Sequence, residues 1–108
     1  MTEEKSYEVK QMMLKYVGRI YRESQRKAEL ALKGDCVREV SPRDQASINL
    51  VRYIDRALRD CSGDTQLIIR REYLEISSPT WWQEKYAKST FYRLKKEAVQ
   101  EFMHCLDL

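Results

Sequence analysis

Between Lys85 and Lys96 the chain gathers five cations, Lys85, Lys88, Arg93, Lys95 and Lys96, with no acidic residue among them; Glu84 and Glu97 stand just outside. These are a quarter of its 20 lysines and arginines, and Ser89, Thr90 and Tyr92 are interleaved with them. The chemistry open to such a set is non-covalent. A guanidinium donates two parallel hydrogen bonds to O6 and N7 of guanine, while hydroxyl and ammonium groups suit phosphate oxygens and base edges. The net charge of +3 is too small to argue for nucleic acid unaided, so the clustering carries the inference. A merely solvated helix face is the plainer reading. Against it, cations without an interleaved acid forgo the i,i+4 ion pairs by which solvated helices commonly support themselves.

Catalysis finds no comparable set. The chain has one histidine, His104, no glycine-rich phosphate loop, no GxSxG elbow and no pair of carboxylates set among apolar residues; Glu72 and Glu75 read as solvent-facing helix charges. An enzyme is therefore not expected. Cys36, Cys61 and Cys105 are odd in number and without CxxC spacing, and His104 and Cys105 diverge by about 100° on a helix. Neither a disulfide, a zinc site nor any cofactor is expected, and the thiols read as small apolar groups.

The basic cluster needs a helix to present it. Phe91, Leu94, Ala98, Phe102 and Cys105 recur at three, four, four and three, the stripe of a helix with one buried face. That stripe turns Ser89, Thr90, Tyr92, Arg93 and Lys96 outward. Ser89 reads as the N-cap of this helix, which spans about 89–106. A shorter helix opens at Pro79 or Thr80 and runs through Tyr86, with Thr80 and Gln83 in the spacing of a capping box. The link, Ala87-Lys88-Ser89, is short enough to force a steep crossing, the geometry of a helix-turn-helix. The candidate DNA-binding residues are Lys85, Lys88, Ser89, Thr90, Tyr92, Arg93 and Lys96.

The preceding chain reads as helical too. Val9, Met13, Tyr16 and Ile20, spaced four, three and four, predict the buried stripe of one long helix from about Ser6 to Lys33, stopped by Gly34-Asp35. Such a helix in so short a chain is a core element or a dimerisation element. Ser41 and Pro42 open a second helix whose buried face is Ile48, Val51, Ile54, Leu58 and Cys61. Ser62-Gly63-Asp64 ends it and caps a third, in which Leu67, Ile68, Tyr73 and Leu74 pack while Arg70 and Arg71 face out, ending before Ser77-Ser78-Pro79. With 3 Gly and 2 Pro in 108 residues and no internal repeat or linker, the expectation is one all-α domain over 1–108. It has about five helices: an N-terminal part, 1–40, and a core, 41–108, ending in the helix-turn-helix. The acidic opening Met1-Thr2-Glu3-Glu4 and the lack of any long apolar run predict a cytoplasmic chain that does not enter the membrane.

The run from Trp82 to Ala98 resembles the helix-turn-helix of the sigma-factor region 4-like class. It is most similar to phage transcriptional regulators of the ArpU type, whose recognition helix has a Ser-Thr-x-Tyr-Arg-x-Lys-x-x-Ala pattern matched by Ser89 to Ala98. The resemblance covers about half of the chain, with the segment from Tyr53-Ile54 to Leu74 as the helix pair that packs on the motif. It implies sequence-specific binding of double-stranded DNA at a promoter, by the residues named above. The family's usual turn glycine is replaced by Ala87, where a left-handed residue with a side chain costs on the order of 1 kcal/mol. Trp81 and Trp82 stand where small or polar residues are usual; one is expected to plug the core and the other to cap the helix pair. The alternative function is a helical adaptor that docks on an acidic partner such as RNA polymerase or another regulator. A homodimer reading two half-sites is a further expectation.

Overall fold

Ser41 begins a helix for the expected reason: its extended backbone lets its Oγ accept from the Asp44 N–H at 3.2 Å, and Pro42 follows at a position that needs no donor. The computed structural model describes residues 6–33 and 41–107. Among these are four α-helices and no strand: α1 (Tyr7–Lys33), α2 (Pro42–Arg59), α3 (Gly63–Ile69) and α4 (Lys88–Cys105). Helix α3 continues into one π-turn, Arg70–Leu74, closed by the Glu75 N–H donating to the Arg70 carbonyl at 2.8 Å. The expected stop at Gly34-Asp35, and Cys36, lie outside the described residues.

The fold is all-helical as expected, but the helix anticipated over 79–86 does not form. That segment is a string of tight turns, with Trp81, Gln83 and Lys85 donating to the carbonyls three residues back and only Tyr86 reaching four. Thr80 makes no capping box. Its hydroxyl lies 3.2 Å from that of Ser78, whose Oγ instead accepts the Thr80 N–H. The physical reason is Phe91. Trp82 stacks on its ring with centroids 4.5 Å apart and Trp81 meets it edge-on at 5.8 Å. Consecutive residues of a regular helix diverge by about 100°, so placing both indoles on one ring goes with an irregular backbone here.

The core is drawn from all four helices: Leu14 and Tyr21 of α1, Ile54 and Leu58 of α2, Ile68 and Ile69 of α3, and Phe91, Val99 and Phe102 of α4 pack together with Leu74. Each such burial is worth about 1.5–3 kcal/mol. The stripes expected on α2 and α4 pack in part: Ile48, Ile54 and Leu58, and Phe91, Ala98 and Phe102, are buried and Val51, Leu94 and Cys105 half-buried, while Ala57, Val99 and Met103, outside those stripes, are buried as well. Ile69, which no stripe predicted, is buried, and Arg70 is half-buried rather than outward.

The stripe expected on α1 is displaced. Leu14, Gly18, Tyr21, Ser24 and Ala28 are buried, whereas Val9 and Tyr16 are exposed and Met13 and Ile20 half-exposed. Polar docking chooses the face. Gly18 lets the helix approach the Tyr73 carbonyl, with which a Cβ would collide, and Arg22 Nη1 donates to that same oxygen at 2.7 Å. The Tyr21 hydroxyl donates to Asp55 at 2.7 Å; burial first, and then this carboxylate, push its phenol up to about 12. Tyr73 stands next to the end of its helical segment, where carbonyls have no intrahelical donor, so its oxygen is free for this docking.

Candidate nucleic-acid interface

Helix α4 starts one residue earlier than its sequence suggests. Lys88 is its first residue, and Ala87 occupies the N-cap with φ −69° and ψ 152°. Two expectations change with this. Ser89 is an exposed first-turn residue and not the cap, and Ala87 is extended and not left-handed, so no glycine is needed there. No side chain caps the first turn, which leaves its backbone N–H groups facing outward with the positive end of the helix dipole.

The candidate residues share one surface around this terminus. Lys85, Lys88, Ser89, Tyr92, Arg93 and Lys96 are exposed and Thr90 is half-buried. They are held from beneath by the aromatic cluster: Phe91 under the first turn, Trp82 stacked on it, and Tyr92 edge-on to Trp82 at 5.9 Å. Trp82 is the buried plug and Trp81 the half-buried partner. The Trp82 indole N–H donates to the Pro79 carbonyl at 3.2 Å and the Tyr86 hydroxyl to Asp64 at 3.0 Å. The turn segment is thereby tied to α3.

The five cations separate by partner. Lys95 belongs to the fold: its Nζ is 3.4 Å from Glu72, with both side chains largely covered, and 5.8 Å from the centre of the Tyr73 ring. Arg93 pairs with Glu97 at 3.6 Å on the open surface, an i,i+4 contact formed because the acid-free window ends one residue short of it. An exposed pair of this kind is worth at most about 1 kcal/mol, so the guanidinium is readily recruited. Lys85, Lys88 and Lys96 have no carboxylate at ion-pair distance among the described residues.

The far half of α4 is anchored by polar contacts that sequence reading passed over. Glu101 accepts from the Ser62 N–H at 2.7 Å, from the Ser62 hydroxyl at 3.1 Å and from the Thr65 hydroxyl. Burial alone would raise the Glu101 carboxyl, but these donors outweigh it and hold it below the usual range. The nearest signal was Ser62 itself, read as a cap; its hydroxyl bonds Thr65 and Glu101 and makes no cap hydrogen bond. A second basic cluster, Arg52, Arg59 and Arg70 around Asp55, lines a shallow cleft between α1, α2 and the π-turn. Arg52, Asp55 and Arg59 recur at helical spacing on α2, whereas Arg70 joins them only through the fold.

Cys61 and Cys105 are free thiols with sulfurs 3.5 Å apart. Burial, followed by the neighbouring thiol, pushes Cys61 up to about 12. Among the described residues no three of His, Cys, Asp and Glu gather as metal ligands, and no helix is long and apolar enough to cross a membrane. Comparison with family models, curated proteins and solved structures finds no match to this chain.

Proposed function

We propose that this chain is a sequence-specific regulator of transcription that binds double-stranded DNA through the first two turns of α4. The observation that carries the reading is the uncapped start of that helix, with Lys85, Lys88, Ser89, Tyr92 and Arg93 exposed near it and Lys96 exposed more than two turns along, the three lysines without carboxylate partners. Free amides, hydroxyls and unpaired cations around one helix end match what a DNA backbone and the base edges beside it require. The resemblance of Ser89 to Ala98 to the recognition helix of the ArpU-type, sigma region 4-like class supports the same assignment. On this reading the aromatic turn segment stands in for the first helix of the motif, the protein acts in the cytoplasm without catalysis, and RNA polymerase is the partner its regulation would address.

The roles divide along the helix. Arg93 reads a base edge after releasing Glu97, while Lys96, a turn further on, touches the backbone. Arg93→Ala is expected to weaken the preferred site by about 1–3 kcal/mol and relax specificity there, and Lys96→Ala to weaken all sequences alike and lower the salt slope by about one. Gel-shift titrations at several salt concentrations, with circular dichroism as the folding control, test this. Folded variants that bind as the parent does, or a parent that binds no duplex even at low salt, would transfer the basic face to the adaptor reading.

A further inference from the structure

Two thiols that the proposed DNA surface does not use face each other at the far end of α4. Cys61 lies just past the end of α2 and Cys105 is the last residue of α4; they are 44 residues apart in the chain, with sulfurs 3.5 Å apart. The backbones that carry them are tied together by their neighbours. The Ser62 N–H donates to Glu101 at 2.7 Å and the Tyr53 hydroxyl to the Leu106 carbonyl at 2.6 Å, so the approach does not depend on the sulfurs alone. A disulfide is about 2 Å long, and closing the gap takes about 1.5 Å shared between two side chains. Both thiols are free, and a pair at this separation is open to reversible oxidation.

Access sets the order of events. Cys61 is 6% exposed and its Sγ also donates to the Ala57 carbonyl at 3.4 Å, whereas Cys105 is half-buried, so a reagent from solvent meets Cys105 first. We propose that Cys61 and Cys105 form a reversible intramolecular disulfide by exchange with a low-molecular-weight disulfide such as oxidised glutathione. The Cys105 thiolate attacks one sulfur of the reagent and expels one small thiolate, leaving a mixed disulfide on Cys105. Cys61 then gives its proton to solvent and attacks the Cys105 sulfur, expelling the second small thiolate. The protein gives up two electrons and two protons as the reagent is reduced to two thiols. Burial holds the Cys61 thiol protonated, but capping Cys105 removes one of the groups that raise it, and its target sulfur is already adjacent. The bond joins the end of α2 to the end of α4, and in a reducing compartment such a bond is transient and follows the redox conditions. The proposal rests on this junction and does not depend on what α4 binds.

Intact-mass measurement of the full chain carrying Cys36→Ser, which removes the third thiol, tests it after incubation with oxidised glutathione and acid quenching. The expected product has lost two hydrogens, carries no glutathione and reverts with dithiothreitol. Adding Cys61→Ala should stop the reaction at a glutathione adduct on Cys105, and adding Cys105→Ala should leave the chain unmodified because Cys61 is covered. Circular dichroism before treatment is the folding control. A glutathione adduct that persists while both thiols are present, or no reaction in the folded chain, overturns the pair. A chain that reacts as readily after Cys105→Ala overturns the order of attack.

Discussion

Ala87 begins α4 without lending it a cap, although alanine ranks well below serine or aspartate at this position. Local rules of this sort are commonly broken where function needs the group left free. The consequence is a separable pair of effects. Ala87→Asp should stabilise the fold by about 0.5–2 kcal/mol, since its carboxylate satisfies first-turn amides, and should weaken duplex binding, since those amides and the dipole are no longer open to phosphate. Urea unfolding and gel shift on the same variant check both, and a variant that binds DNA more tightly would remove the helix terminus from the interface. Gly18 is constrained in the opposite sense, because any Cβ there meets the Tyr73 carbonyl oxygen. Alanine ordinarily favours a helix over glycine by about 1 kcal/mol, yet Gly18→Ala should be net destabilising by about 1–3 kcal/mol. Equilibrium unfolding gives the sign directly.

At the scale of elements, α4 is held by two different chemistries, aromatic stacking below its N-terminal end and the Ser62–Thr65–Glu101 contacts near its far end. The second responds to acid. A carboxyl lowered in the folded chain contributes stability that is present above its unfolded value and lost as pH falls through its folded one. Glu101→Gln should therefore lower the melting temperature at neutral pH, and the gap from the parent should close as the medium drops below the usual carboxylate range. Thermal melts across that range would show it; a gap independent of pH would deny the carboxylate its part. The same elements show what sequence can convey. The buried faces of α2 and α4 were legible in part, because large apolar residues recur there at helical spacing, but Val99 and Met103 widen the α4 face beyond the expected stripe. The 79–86 segment was not, since its capping pattern was sound and only the demand of Phe91 for two indoles bends it away from a helix. On α1 the period was correct and the face was wrong: Val9, Met13, Tyr16 and Ile20 are the more hydrophobic set, but a glycine and an arginine dock on the π-turn, a tyrosine docks on Asp55 of α2, and together they choose the other side.

Taken whole, the chain is a thin slab, 52 × 41 × 21 Å, with a basic surface at the start of α4 and an apolar one along the first half of α1. The candidate site was legible as a set, because a stripe of core residues dictates what must face outward. Its internal division was not, since the pairing of Lys95 with Glu72 depends on how α4 packs against the π-turn. The aromatic cluster supplies the means to tell events at this site from those elsewhere. Both of the chain's tryptophans lie against Phe91 at the N-terminal end of α4, and none lies on the α1 stripe. Indole emission is thus a native reporter confined to one surface: it should shift when duplex is added and stay constant when Cys61 and Cys105 are oxidised at the other end of the helix, so that a single unlabelled sample distinguishes docking from oxidation.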